Sequence, residues 1–177
     1  MRIIAGERRG ASIAAPKGVA TRPTGDRVRE AAYNLIGPVD DAAVLDLFAG
    51  SGAMGLEALS RGARRCVFVE SAGDACAVIK RNLEKLRFTG ALVLCTDAFQ
   101  ALREERAAGR AYDLVLVDPP YESWGDLEPK LADALPAALN DDGVLVVETS
   151  SRVEPELPLN VVTSRRYGSA RITLFTR

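Results

Sequence analysis

The sequence contains no histidine. That absence removes serine–histidine triads, histidine general bases and histidine-built metal sites, so any chemistry must run on carboxylates, amides and backbone groups, with no metal expected. No apolar run approaches the roughly 18 residues of a membrane span, and Met1 to Ala11 carries arginines where a secretory signal would be continuously apolar. The chain is therefore expected in the cytoplasm, off the membrane. Low-complexity tracts and repeats of fixed period are also missing. Cysteine is scarce: Cys66, Cys76 and Cys95 are odd in number, lie outside any Cys-x-x-Cys spacing, and fall in segments that read as core strands or a helix. They are expected as buried free thiols.

What remains is an ordinary globular mixture. The 177 residues are 47% hydrophobic and 27% charged, with a formal net charge of −1, which suits one domain with an appendage, expected to be monomeric. Such a balance argues against a protein that coats nucleic acid wholesale, but the charge is uneven. Met1 to Pro38 holds seven basic residues (Arg2, Arg8, Arg9, Lys17, Arg22, Arg27, Arg29) against three acidic ones (Glu7, Asp26, Glu30). Any nucleic-acid footprint is concentrated there.

From Val39 onward, β-branched runs alternate with helix-length segments. Val44–Phe48, Arg65–Glu70, Ala91–Cys95, Tyr112–Val117 and Val144–Glu148 read as strands, and Ala53–Arg61, Gly73–Arg87, Phe99–Ala108 and Asp126–Leu139 as helices. Continuous apolar strands predict a parallel sheet covered on both faces. Asn160–Ser164 and Arg171–Thr176, joined by a short turn at Gly168, predict an antiparallel hairpin. The fold class is thus α/β: a Rossmann-like, mostly parallel, seven-stranded sheet with an antiparallel C-terminal hairpin (residues 39–177), plus a small N-terminal extension (residues 1–38). In that extension Arg2–Ile13 reads as a hairpin. Val28, Ala31, Ala32, Leu35 and Ile36 then mark the buried stripe of a short helix, with Arg27, Arg29 and Asn34 outside.

The first strand runs into Gly50-Ser51-Gly52-Ala53-Met54-Gly55 and then a helix, a G-x-G-x-x-G in the strand–loop–helix setting where glycines let a backbone approach a ligand. Glu70 ends the next strand, placed to accept ribose hydroxyls, so the ligand contains adenosine. A dinucleotide and S-adenosylmethionine both use this architecture. Asp46, near the end of the first strand, would repel a pyrophosphate but attract the ammonium and sulfonium of S-adenosylmethionine. Asp97 either hydrogen-bonds the adenine amine or caps the following helix, and one residue can do both. The candidate cofactor contacts are Asp46, Phe48, Gly50, Ser51, Gly52, Glu70, Asp97 and Ala98.

The fourth strand ends in Asp118-Pro119-Pro120-Tyr121, at the carboxyl edge where such sheets bind ligands. A base amine is a poor nucleophile because its lone pair is delocalised into the ring. The Asp118 carboxylate and the Pro119 carbonyl can accept its two N–H bonds, favour a pyramidal nitrogen and aim the lone pair at a methyl group. The two prolines hold the backbone there, and Tyr121 offers a face on which an unstacked base can rest. Trp124 either walls this pocket or caps the next helix.

Leu45 to Ala63 (LDLFAGSGAMGLEALSRGA) and Val117 to Tyr121 (VDPPY) resemble the cofactor and catalytic motifs of the bacterial small-subunit ribosomal RNA guanine-N2 methyltransferases of the RsmD type. DPPY is shared with adenine-N6 and other amino-methyltransferases, so it specifies chemistry rather than substrate. Met1 to Gly10 (MRIIAGERRG) and Thr21 to Ile36 (TRPTGDRVREAAYNLI) resemble that family's leader. The resemblance implies a class I S-adenosylmethionine methyltransferase acting on N2 of a guanine in 16S rRNA of the small ribosomal subunit, with Arg22, Arg27 and Arg29 meeting RNA phosphates and Arg8 and Arg9 extending the RNA-binding basic surface. Ser169-Ala170 departs from the Asp-Thr of the family's final turn. Three alternatives stay open: a DNA or other RNA adenine-N6 methyltransferase, a nicotinamide dehydrogenase, and a ribosome-assembly binder without turnover.

Overall fold

The computed structural model describes residues 1–16 and 23–177, without the side chains of residues 23 and 24. Lys17 and Arg22 lie outside the described residues. After the leader comes α1 (Pro23–Ile36), then β1 (Ala43–Leu47), α2 (Ala53–Ser60), β2 (Arg65–Glu70), α3 (Gly73–Leu86), β3 (Ala91–Cys95), α4 (Ala98–Ala107) and β4 (Tyr112–Val117). The chain continues with α5 (Trp124–Ala134), β5 (Leu139–Ser150), β6 (Asn160–Tyr167) and β7 (Ala170–Thr176). One seven-stranded sheet has the order β3-β2-β1-β4-β5-β7-β6. The pairs from β3 to β5 are parallel and β7 is antiparallel to both its neighbours. Among the described residues no helix is long and apolar enough to cross a membrane.

The strand order reverses between β1 and β4, so the carboxyl ends of β2, β1, β4 and β5 open onto one crevice. β1 and β4 are almost wholly buried because helices cover both faces. On one face Val44, Phe68, Leu114, Leu116 and Val146 pack with α1, α2 and α3; on the other Leu45, Val67, Val115, Val117 and Leu145 pack with α4 and α5. Strand alternation then fixes where the edge side chains go. Asp46, Glu70, Asp118 and Glu148 continue the series of Val44, Phe68, Leu116 and Val146, so all four fall on the first face.

Several expectations change. β3 is an edge strand, and Leu92 is 52% exposed, so the sheet is not covered throughout. β5 begins five residues before the expected Val144, because Asn140-Asp141-Asp142-Gly143, between the expected helix and strand, forms an irregular extension pairing Leu139 with Tyr112. α5 starts at Trp124 and gives way at Leu135 to a tight turn containing Pro136, which has no N–H to continue the helix. Trp124 packs in the core with Leu131 and Leu135 and does not line the crevice, so it is no pocket wall.

The cysteines are not three buried thiols. Cys76 and Cys95 are joined as a disulfide with their Cα atoms 6.1 Å apart, Cys95 is exposed, and only Cys66 is free and buried. Sheet register makes the pairing: Cys95 lies opposite Glu70, and α3 starts three residues beyond Glu70 and brings Cys76 back over it.

The leader is stapled to the sheet domain by polar side chains. Its Arg2–Ser12 arm forms a single antiparallel bridge rather than strands, while Ile3 and Ile13 enter the first core face. Glu57 on α2, fully buried, accepts the Ile4 and Ala5 N–H groups at 2.8 and 2.9 Å and Arg61 Nε at 2.8 Å, with Arg29 Nε at 3.5 Å. Asn82 on α3 exchanges bonds with Ala14 in both directions and donates to the Ser51 carbonyl at 3.2 Å. It ties the leader to the glycine loop.

Candidate active site

The sheet's carboxyl edge holds a cleft of about 910 Å³, within the range of small-ligand sites. Asp46, Phe48, Gly50, Ser51 and Glu70 line it on one side and Asp118, Pro119, Pro120 and Tyr121 on the other. The two motifs, read separately in the sequence, therefore face one cavity. Asp97 and Ala98 do not line it, and the Asp97 Oδ1 accepts the Phe99 and Gln100 N–H groups at 2.9 and 3.1 Å as the N-cap of α4. Of its two expected roles the structure displays the capping one. Gly52 is buried beneath the cleft rather than on its wall.

The glycine loop is held from two sides. Phe48, in the left-handed region at φ 58, turns the chain out of β1, a conformation that costs a non-glycine residue of order 1–3 kcal/mol. Glu70 Oε2 accepts the Gly50 N–H and Oε1 the Ala72 N–H, each at 2.8 Å. Asp46 Oδ2 accepts the Gly55 N–H at 2.9 Å. A Cβ on Gly55 would stand 2.4 Å from Phe68 Cε1 and 2.9 Å from the same Asp46 oxygen, so the third glycine permits α2 to close against β1 and β2.

Asp46 is 2% exposed, and burial raises its carboxyl to about 7, against the Gly55 hydrogen bond that lowers it and with the Glu70 charge adding to the rise. A cationic ligand in the cleft reverses this, because it stabilises the ionised form. Binding at pH 6 should therefore release nearly one proton, and affinity should fall about tenfold per pH unit below 7. Calorimetry of S-adenosylmethionine binding in buffers of different ionisation enthalpy measures the proton. Asp46→Asn should abolish the buffer dependence, and an unchanged dependence in that variant would contradict the assignment. The ligand-free fold has the opposite sign: with a folded pKa above the ordinary 3.8, the contribution of Asp46 to stability is complete below pH 4 and lost as the pH rises through 7.

Sequence reasoning missed Glu148, which lines the cleft and whose Oε1 accepts the Tyr121 hydroxyl at 2.8 Å. Its only sequence signal is its place at the end of an apolar strand. Glu122, also outside the candidates, joins Glu148, Asp46, Glu70 and Asp118 on the wall, and Arg29 is the one arginine there among the described residues. The surface favours a cation and opposes a pyrophosphate.

Of the leader arginines, Arg9 and Arg27 are exposed, as expected of residues that meet phosphates. Arg8 is partly engaged, donating to the Leu86 carbonyl at 2.7 Å and lying 5.7 Å from the Phe88 ring centroid. Arg29 contradicts the expectation of an outer-face residue: it is 3% exposed, donates to the Arg2 carbonyl and to Asp26, and pairs with Glu57. The helix buries Val28, Arg29, Ala32 and Tyr33, a stripe rotated away from the apolar count because Arg29 and Tyr33 carry polar ends that find partners inside.

The sequence matches, over residues 1–176, the family model described as conserved hypothetical protein 95. It is 38% identical to a putative rRNA methyltransferase YlbH of Bacillus subtilis over 187 aligned residues, covering 100% of this chain and 99% of that one. It is 39% identical to ribosomal RNA small subunit methyltransferase D of Escherichia coli, over 89% of this chain and 75% of the relative. Among solved structures, a putative methyltransferase yhhF from Escherichia coli superposes with a TM-score of 0.87 at 31% identity, covering 100% of this chain and 97% of that one.

Proposed function

The chain belongs to the family described as conserved hypothetical protein 95, and from that premise we propose that it transfers a methyl group from S-adenosylmethionine to the exocyclic N2 amine of a guanine in 16S rRNA. The observation that carries the chemistry is the meeting of Asp118-Pro119-Pro120-Tyr121 with the glycine loop across one acidic cleft. The names of the relatives, an rRNA methyltransferase and a small-subunit rRNA methyltransferase, support the RNA substrate. The target is an assembled or assembling small subunit, and the enzyme acts as a monomer.

The residues present fit the cofactor. Glu70, Asp46, Phe48, Gly50 and Ser51 all line the cleft; the Glu70 carboxylate can accept ribose hydroxyls, Asp46 would meet a positive centre, and Phe48, Gly50 and Ser51 would supply wall and backbone. Bound S-adenosylmethionine supplies an electrophilic methyl group on a sulfonium. The protein's task is to make the amine ready. Asp118 and the Pro119 carbonyl accept the two N–H bonds, which pulls the nitrogen lone pair out of conjugation and fixes its direction. Asp118 keeps hold of an N–H whose proton is lost once the nitrogen becomes cationic, so no strongly basic group is required. Positioning of this kind supplies roughly 7–11 kcal/mol in well-oriented reactions. The Tyr121 ring supports the extruded base, a stacking interaction worth about 1–3 kcal/mol.

RNA phosphates cannot sit against the acidic wall, so they are met outside it by Arg8, Arg9 and Arg27, and Arg22, which lies outside the described residues, is assigned the same role from the sequence. Replacing Arg9, Arg22 and Arg27 together by alanine should weaken small-subunit association and flatten its dependence on salt, by about 0.7–0.9 in the log–log slope for each phosphate no longer neutralised. An unchanged slope refutes the assignment. Arg29→Ala belongs to a different class and should lower stability instead.

The substrate class is tested by transfer of tritiated methyl from S-adenosylmethionine. Label should enter small subunits from cells lacking this protein and not plain duplex DNA. The reverse pattern would establish a DNA amino-methyltransferase.

A further inference from the structure

The cleft contains a carboxylate that the reaction above does not use. β4 and β5 run parallel in the register Val117↔Val147. One residue beyond this last pair come Asp118 and Glu148, following strands that run about 4.8 Å apart, and both line the cleft. Glu148 is fixed from its other side by pairing with Ile172 of β7. Its Oε1 accepts the Tyr121 hydroxyl at 2.8 Å, so the ring assigned to support the base and the carboxylate beside the amine-holding group are one hydrogen-bonded unit.

The chemistry of the bases gives this placement a meaning. Adenine and cytosine carry their exocyclic amine next to a ring nitrogen with a lone pair, which a carboxylate repels. Guanine alone carries its amine next to a ring N–H. Its N1–H and two N2 hydrogens form a row of three donors, and the cleft wall carries three residues with acceptors to meet them, Glu148, Asp118 and Pro119. We infer that Glu148 selects guanine by accepting the N1–H of the base while Asp118 and Pro119 hold the N2 amine. The inference rests on the guanine-N2 reading and adds the residue that enforces it. A site built to accept a ring N–H rejects analogues lacking it far more strongly than an apolar pocket rejects a shape, by up to about 10⁴–10⁵ in kcat/KM.

The test uses 16S RNA assembled into small subunits with either guanine or 2-aminopurine at the mapped target position. 2-Aminopurine keeps the N2 amine and has a lone pair at N1. The wild-type enzyme should prefer guanine by at least about 100-fold in kcat/KM. Glu148→Gln, whose carboxamide can donate to that lone pair, should bring the ratio below about tenfold by gaining activity on 2-aminopurine. Tyr121→Phe should lower both substrates alike and keep the preference. S-adenosylmethionine affinity, measured on each variant, should stay at the wild-type value and so report an intact fold. If Glu148→Gln lowers both substrates in the same proportion, Glu148 serves only to hold Tyr121 and the inference is overturned. If the wild-type enzyme methylates neither RNA at that position but labels an adenine elsewhere, the guanine-N2 reading itself has failed.

Discussion

Replacing Asp118 by alanine should lower methyl transfer at least about 10³-fold while leaving S-adenosylmethionine affinity within about twofold. The separation follows from geometry. Asp118 lies across the cleft from the glycine loop and is exposed, so its loss removes an acceptor from the amine and no buried side chain from the core. Losing one preorganised polar partner at a reacting centre commonly costs about 10²–10³. In the proposed reaction the same group would both orient the amine and draw its lone pair out of the ring, which places the expected effect at or above the upper end. Thermal unfolding should remain a single cooperative transition, because Asp118 is exposed and the core keeps all its side chains. Single-turnover transfer, cofactor calorimetry and thermal unfolding on one preparation check all three. Undiminished transfer would leave the acceptor role without support, and transfer absent from the wild-type protein as well would favour the assembly binder.

Glu57→Ala should be the most destabilising single change where the leader meets the sheet. Glu57 is fully buried and receives two leader amides and two arginines. Its removal takes the buried charge partner from Arg29 Nε, leaving that 3% exposed arginine with only Asp26 and the Arg2 carbonyl, and leaves the Ile4 and Ala5 N–H groups without their acceptor. Breaking a buried pair from one side costs about 3–5 kcal/mol. At 2–4 °C per kcal/mol for a chain of this size, the midpoint should fall by roughly 6–20 °C. Glu57→Gln, which keeps two acceptor positions in the side-chain oxygen, should lose less. Hydrogen exchange localises the effect: the Ile4 and Ala5 amides should exchange fast in Glu57→Ala, and retained protection there would contradict the stapling account.

The parts of the fold that could be read in advance are those where local pattern and tertiary role agree. β2, β3 and β4 have the bounds expected from the sequence, and the glycine motif leads from strand into helix as its spacing requires. Glu70 and Asp118 come to line the cleft because each stands at or just past the carboxyl end of its strand. Features set by register were not legible. Glu148 acquires its role only because β5 pairs beside β4 and Tyr121 reaches it from 27 residues away. The Cys76–Cys95 bond likewise depends on β3 lying next to β2. Arg29 eludes an apolar count because such a count cannot see a buried ion pair whose partner is on another helix, and Glu57 looks in sequence like one more polar residue of α2. Ser169-Ala170 shows how a departure from a motif is absorbed: the Ser169 carbonyl accepts the Ser151 N–H at 2.8 Å and Ala170 is buried, so both serve the fold.

Methylation of a guanine amine in small-subunit RNA by this one acidic cleft is read out by incubating the purified protein and S-adenosylmethionine with small subunits from cells lacking it, then digesting the 16S RNA to nucleosides for mass spectrometry. N2-methylguanosine should appear at a single position, formed by the wild-type protein and not by Asp118→Ala. N6-methyladenosine as the product, or no new methylated nucleoside from a protein that binds S-adenosylmethionine, would contradict the guanine-N2 reading.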